Sequence, residues 1–381
     1  MFSSLLCGSS KSKMGYIRAP GFSAKSGVYG EVAWHFLKSV VRGLPLWGKI
    51  MNLRLRAERK RARKRLRSKV VAIHDSLYPE LVGKESSLWA YRPDQRTDAN
   101  VWLGEKVLSG EAFCAGRFGA DELEIIQQWR RKNTRSLIGR FIEAFASGDP
   151  FYRVFRSRAR IKKRGLKPLT ATNHKRFYDL MLESMEQIDL LGSWVPGEAW
   201  FAAQLGHVVT SPRKSFEPYR HEKPWTLSLQ GKRVLVVHPF DESIREQYEQ
   251  NRDRLFPNKN VLPDFELHTL VPPRAHFGEI QNAEHWFELF HGLVESVCSK
   301  EFDVAIIGAG PFGLPLAAEV KKCGRQAIHL AGATQILFGI RGTRWNRDAE
   351  VRALYNELWV TPKPSETPPK KARKMSESSY W

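Results

Sequence analysis

FDVAIIGAGPFGLPLAAEVKKCGRQAIHL, residues 302–330, is the stretch that decides the fold of this chain. A continuous apolar run is followed by a glycine-rich turn, and the turn opens a segment with Pro near its start and Gly at its end, as helices often have. RQAIHL then has the pattern of the next strand. Apolar strands that alternate with helices are typical of a parallel sheet covered on both faces. The stretch therefore predicts a strand–helix–strand unit of an α/β protein.

The same alternation continues on the N-terminal side of this stretch. Apolar runs predict further strands, and apolar residues at helical spacing predict the helices between them. Strands are expected near 112–117, 232–240 and 265–273, and helices from Asp121 and over 173–188, 241–256 and 283–300. We therefore expect a Rossmann-like parallel sheet covered by helices, with a basic helical N-terminal extension.

Ligands of such sheets bind outside the carboxyl ends of the strands. Three predicted strand ends carry candidate ligand-binding residues: His238, then the glycines of a GxGxxG turn (Gly308, Gly310 and Gly313), then His329 with Gly332. A GxGxxG turn between a strand and a helix can surround a phosphate with backbone N–H groups. Residues 327–331 contain no carboxylate to hold a ribose, which disfavours NAD or FAD. A sugar-nucleotide diphosphate contact and a purely structural turn both remain open.

The basic charge belongs to particular segments of the chain. The formal net charge is +21, yet 231–350 holds 14 basic and 16 acidic residues. Residues 54–69 hold ten Lys or Arg against one Glu, and 153–167 hold eight basic residues and no acidic one. A global interpretation as a nucleic-acid protein is thereby weakened.

The region 31–69 joins an apolar, Trp-bearing stretch to the first basic run. That order favours a helix on an anionic membrane surface. An exposed basic helix or disordered arm, and nucleic-acid binding, are the alternatives. No apolar run is long enough to span a bilayer, and the 42% hydrophobic content excludes a wholly disordered chain.

The four cysteines, Cys7, Cys114, Cys298 and Cys323, form no CxxC pair and no metal-binding spacing. Single scattered cysteines suit a reducing compartment better than a disulfide framework. The basic residues of the N-terminus follow its apolar patch, the reverse of a secretory signal. We predict a cytoplasmic protein, associated peripherally with the inner face of the membrane.

Several long motifs recur in an order that resembles a known family. They are RFGADELEII (117–126), FEPYRHEKPW (216–225), KRVLVVHPFDESIREQY (232–248), LPDFELHTL (262–270), the stretch 302–330, and AGATQILFGIRGTRW (331–345). Over about 110–345 the chain resembles a bacterial surface-polysaccharide family and is similar to GT-D-type glycosyltransferases. The resemblance implies a Rossmann-like fold, a nucleotide-sugar donor such as a UDP-hexose, a divalent Mn or Mg ion, and a glycan or lipid-linked acceptor.

The GT-D signature is a DxE motif in a strand–turn–helix, and RFGADE (117–122) stands at the matching place. Glu122 matches the family's Glu, Ala120 replaces its Asp, and Asp121 takes the middle position. The resemblance implies that Glu122 is a metal ligand or catalytic base, with Asp121 as a second catalytic candidate. Arg117 and Gly119 would contact the donor.

The residues themselves leave other roles open at this motif. Asp121 and Glu122 also suit the first turn of a helix, where carboxylates favour the dipole. Arg117 could pair with a phosphate or with an internal carboxylate. Further along, Arg341, Arg344 and Trp345 could close over a diphosphate.

Four regions are expected along the chain. Residues 1–90 are a mobile and basic amphipathic region, 91–230 the N-terminal part of the glycosyltransferase-like α/β unit, 231–350 its Rossmann-like C-terminal part, and 351–381 a disordered basic tail. The predicted function is transfer of a sugar from a nucleotide donor. The alternatives are a noncatalytic nucleotide-sugar-binding or scaffold protein, an NAD(P)- or FAD-binding Rossmann protein, and a nucleic-acid binder.

Overall fold

The strands of the described chain form one wholly parallel sheet. The computed structural model describes residues 87–134, 170–274, 280 and 282–367. The strands of this part are β1 (Phe113–Gly116), β2 (Leu190–Ser193), β3 (Val209–Pro212), β4 (Arg233–Val237), β5 (Glu266–Leu270), β6 (Val304–Ile307) and β7 (Gln326–Ile328). The prediction of a Rossmann-like parallel sheet is confirmed.

The strand order is β3-β2-β1-β7-β6-β4-β5, so both halves of the predicted α/β unit share one sheet. They join where β1 pairs with β7, with Cys114 opposite Ala327. Strand order reverses at two places. One is at β1, which lies between β2 and β7, and the other is at β4, which lies between β6 and β5. Ligands of open α/β sheets bind at the carboxyl ends of strands at such reversals. The topology therefore directs the search for a site to the ends of β1, β7, β4 and β6.

Helices cover both faces of the sheet. In the described part they are α1 (Leu88–Tyr91), α2 (Ala99–Ser109), α3 (Ala120–Thr134), α4 (Ala171–Gln187), α5 (Asp241–Asn251), α6 (Ala283–Cys298), α7 (Gly313–Lys322), α8 (Ala333–Leu337) and α9 (Ala349–Arg352). Apolar residues of α3, α4, α6 and α7 belong to one hydrophobic cluster, and those of α2, α5 and α8 to a second.

Successive strand residues alternate between these two clusters. In β4, Leu235 and Val237 join the first cluster, while Val234 and Val236 join the second. Side chains of a strand point to opposite faces in turn, so a strand buried on both faces must be apolar throughout. This explains the continuous apolar runs of β4 and β6.

The C-terminal part corrects one expectation. A disordered tail was expected from residue 351, but residues up to 367 are folded. The side chains of Val351 and Trp359 are buried in the second cluster. The carboxylate of Glu366 accepts hydrogen bonds from Ser243 N at 3.0 Å and from Lys363 N at 3.0 Å. Apolar burial and these hydrogen bonds offset the entropy of ordering the segment.

Cys298 and Cys323 form a disulfide between the end of α6 and the residue after α7, whereas the sequence favoured single thiols. Their sequence separation is 25 residues, so no short motif marks the pair.

Three expectations lie outside the described residues: the membrane-surface region 31–69, the basic run 153–167, and the tail beyond 367. Within the described part, no helix has the length and apolar character that crossing a bilayer requires.

Candidate functional site

A small cavity opens where β1 and β7 end, at one of the two reversals of strand order. Its volume is about 50 Å³. The lining residues come from the β1–α3 turn, α4, the glycine-rich turn, α7 and the end of β7: Gly119, Glu122, Met181, Gly310, Pro311, Leu314, Pro315, His329 and Ala331. Four predicted site residues, Gly119, Glu122, Gly310 and His329, therefore meet in one cavity.

Glu122 is the single carboxylate among the lining residues, and it is 6% exposed. It lies in the first turn of α3, where the N-terminal end of the helix dipole favours a negative charge. Its carboxylate folds back over Gly119, so a Cβ at that position would overlap with Oε2. Gly119 is thus explained by the close approach of Glu122. Asp121 is half-buried and does not line the cavity.

His329 is a neutral imidazole in the wall of the cavity. Its Nδ1 lies 3.1 Å from the carbonyl oxygen of Ile307. A carbonyl can only accept, so Nδ1 carries the proton and Nε2 presents a lone pair. Burial, together with the positive charge of Arg117, lowers the pKa of His329 to about 3. At neutral pH, Nε2 can therefore accept a hydrogen bond from a ligand hydroxyl.

The glycine-rich turn makes room for two histidine rings. A Cβ on Gly313 would lie 2.5 Å from Nδ1 and 3.0 Å from Nε2 of His329. A Cβ on Gly308 would overlap with the ring of His238. Gly310 has a φ of 56°, a conformation that residues with a Cβ rarely adopt. Contacts within the protein or the backbone conformation therefore explain why glycine stands at each of these three positions.

His238 directly follows β4, at the second reversal of strand order, and its ring is also neutral. Burial lowers the pKa of this imidazole to about 3. The backbone N–H of Phe240 donates to Nδ1 at 3.1 Å, so the proton of the neutral ring is on Nε2. The fully buried hydroxyl of Thr334 lies 3.0 Å from the Cβ position of Gly308 and has no hydrogen-bond partner. His238 and Thr334 thus place two polar groups beside Gly308.

Arg117 follows β1 but does not line the cavity. Its guanidinium is buried, donates to the carbonyl oxygen of Leu330, and lies 3.5 Å from the Glu217 carboxylate. Burial lowers the pKa of Arg117, and Glu217 opposes that shift. Of the two roles expected from the sequence, the structure gives this arginine the internal ion pair. Through its hydrogen bond to Leu330, Arg117 also contacts the segment that carries His329.

Gly332 lies just before α8 with a φ of −66°, which any residue can adopt, and it does not line the cavity. The sequence reasoning missed five lining residues, among them Met181, Leu314 and Ala331. Met181 and Leu314 are ordinary apolar helix residues without a local signal. Ala331 has a φ of 50°, the one positive value among the described non-glycine residues, and alanine gives no hint of it.

No group of three His, Cys, Asp or Glu side chains among the described residues is placed to hold a metal ion. The predicted ligand Glu122 therefore belongs to no protein-built cage in this part of the chain. Magnesium sites often use one or two carboxylates together with substrate phosphates and water. A single buried carboxylate beside a ligand cavity suits that kind of site.

The chain matches no protein-family model, no curated protein and no solved structure.

Proposed function

We propose that this chain is a glycosyltransferase of the GT-D type. It would transfer a sugar from a nucleotide-sugar donor, with a UDP-hexose expected, to a glycan or lipid-linked acceptor of surface-polysaccharide synthesis. The observation that carries the proposal is the buried Glu122 carboxylate in the cavity at the β1/β7 reversal. Both the topology of the sheet and the motif resemblance direct the chemistry to this place.

The cavity suits one small group of a ligand. Its volume of about 50 Å³ is well below the roughly 300–1,000 Å³ of pockets that enclose whole ligands. The rest of a donor would lie across the carboxyl edge of the sheet. In this arrangement Glu122 removes the proton of the acceptor hydroxyl as a general base. His329 holds a ligand hydroxyl through the lone pair of Nε2.

A bound Mn²⁺ or Mg²⁺ would neutralise charge on the departing diphosphate. Glu122 is the residue that would hold it, and in that role it would not act as the general base as well. We also expect the enzyme to work at the cytoplasmic face of the membrane, with 31–69 on the anionic surface.

A noncatalytic nucleotide-sugar-binding or scaffold protein is the second candidate. Ala120 favours it, because the first acidic residue of the motif is missing. Asp121 does not replace that residue at the cavity. This candidate predicts binding of the nucleotide sugar without turnover.

The test is release of UDP from UDP-glucose and other nucleotide sugars by the purified full chain, with and without Mn²⁺. Glu122→Gln should lower turnover by about 100-fold or more, since general base catalysis is worth that much. The matched control is Glu105→Gln, the same chemical change on an exposed face of α2. Glu105→Gln should turn over the donor at the same rate as wild type.

Two outcomes would count against catalysis. Saturable binding of a nucleotide sugar with no turnover would transfer support to the noncatalytic candidate. Equal turnover of wild type and Glu122→Gln would remove Glu122 from the mechanism.

A further inference from the structure

A second and larger pocket lies in the C-terminal part of the fold, with a volume of about 300 Å³. The segment that forms it is held to the fold by Gln335 Nε2, which donates to the Ile340 carbonyl at 3.1 Å, and by the pairing of Ile340 with Val360. The lining residues are Arg341, Gly342, Thr343, Asn346, Arg352, Tyr355 and Thr361. This pocket shares no lining residue with the cavity at β1 and β7.

The lining is cationic and polar. Arg341 and Arg352 contribute two positive charges, and no lining residue is acidic. Within the described chain, the structure shows no ion pair for either guanidinium. Arginine favours phosphate because its planar group donates several hydrogen bonds in a fixed geometry.

Two buried polar atoms of the pocket residues have no hydrogen-bond partner: Nε of Arg341 and the hydroxyl of Tyr355. One Nη of Arg341 donates to the carbonyl of Asn356 at 2.6 Å, which anchors the guanidinium 5.3 Å from the Tyr355 ring centroid. Burial raises the pKa of Tyr355, so the hydroxyl keeps its proton and can donate. Buried donors without partners are costly, and a ligand that accepts from them removes that cost.

We infer that this pocket binds a small phosphate-bearing molecule, a phosphate monoester of a sugar or nucleoside. Arg352 and Arg341 supply the positive charge, and Nε of Arg341 and the Tyr355 hydroxyl supply two fixed donors. The volume exceeds what a bare phosphate requires, so part of the organic group is enclosed as well. Arg344 and Trp345, which the sequence placed with Arg341 around a diphosphate, do not line it.

The test is titration calorimetry of the purified full chain with inorganic phosphate, glucose 1-phosphate and UMP, at constant ionic strength set with chloride. We expect saturable binding at one site per chain for at least one probe. Equal affinity for the three probes would show recognition of phosphate alone, and tighter binding of one ester would show recognition of its organic group. No saturable binding of any probe overturns the inference.

Variants separate this pocket from the general positive field of the chain. Arg352→Gln should weaken binding about tenfold, the loss of one charge-assisted contact. Tyr355→Phe should weaken it about threefold or more, and it should leave the melting temperature of the ligand-free protein unchanged or higher, because the lost hydroxyl has no partner.

The control is Arg347→Gln, which removes an equal charge from a neighbouring exposed position outside the pocket. Its affinity should equal that of wild type. Equal weakening by Arg347→Gln and Arg352→Gln would assign the binding to the overall field and overturn the inference. Loss of sugar transfer in Glu122→Gln has no bearing on this result, since the two cavities have no residue in common.

Discussion

Replacing Gly313 with alanine should destabilise the protein, because the new methyl group meets the ring of His329. The Cβ would lie 2.5 Å from Nδ1 and 3.0 Å from Nε2 of that imidazole. The ring cannot easily retreat, since His329 is buried and its Nδ1 is hydrogen-bonded to the carbonyl of Ile307. The substitution must therefore shift the ring and strain its hydrogen bond.

The expected cost follows from these contacts. Overpacking of a dense core costs about 1–3 kcal/mol, and the strained hydrogen bond adds about 1 kcal/mol. Gly313 has helical φ and ψ of −62° and −51°, so the higher helix propensity of alanine offsets up to about 1 kcal/mol. We expect the free energy of unfolding to fall by roughly 1–3 kcal/mol.

Urea unfolding of two further variants tests whether the clash with His329 causes the destabilisation. Gly292→Ala, within α6 and with open space around its Cβ, should raise the free energy of unfolding by about 0.5–1 kcal/mol. In the background of His329→Ala, Gly313→Ala should lose at least about 1 kcal/mol of its cost, because the obstructing ring is gone. If Gly313→Ala stabilises as Gly292→Ala does, or if its cost is the same without the ring, the steric explanation of this glycine is refuted.

Two other predictions concern stability. The pKa of His329 is about 3 in the folded protein against 6.5 ordinarily, so below about pH 6.5 the unfolded chain gains a proton that the folded chain does not. The free energy of unfolding should then fall with decreasing pH. Measured by urea unfolding between pH 6 and 4, His329→Gln should reduce that slope by about 1.4 kcal/mol per pH unit. An equal slope in wild type and variant would contradict this prediction. Replacing both Cys298 and Cys323 with serine opens a loop of 25 residues and should lower the free energy of unfolding by about 3.5 kcal/mol. A reductant should destabilise the wild type similarly and leave this variant unaffected, and an equal response of both would argue against the disulfide.

The sequence predicted five of the seven described strands and missed β2 and β3. β4 and β6 are marked by continuous apolar runs, which few other structures require. β2 (LLGS) and β3 (VTSP) have four residues each and contain a glycine or a proline. Their strand conformation depends on pairing beside β1, which local sequence does not encode. Pro212 is tolerated because β3 is at the end of the strand order.

The candidate site was predicted in position but not in detail. Strand ends at a reversal of order are the expected ligand sites, and Glu122 and His329 do meet there. The GxGxxG spacing cannot distinguish a phosphate from a ring of a neighbouring strand, because both require glycines. The Arg117–Glu217 pair joins residues 100 positions apart, so only the folded chain reveals it.

The end of β6 explains how the cavity keeps its shape. The carbonyl of Ile307 accepts from Nδ1 of His329 at 3.1 Å and from the backbone N–H of Ala331 at 3.1 Å. Ala331 has a φ of 50°, a conformation that costs an alanine about 1–2 kcal/mol. One carbonyl thus holds both the strained backbone and the tautomer of the imidazole. Because Gly308 lacks a Cβ, the carbonyl of Ala331 can lie 2.9 Å from the vacant Cβ position. Strain maintained by hydrogen bonds at a cavity wall favours a positioned binding group over a mere connecting turn.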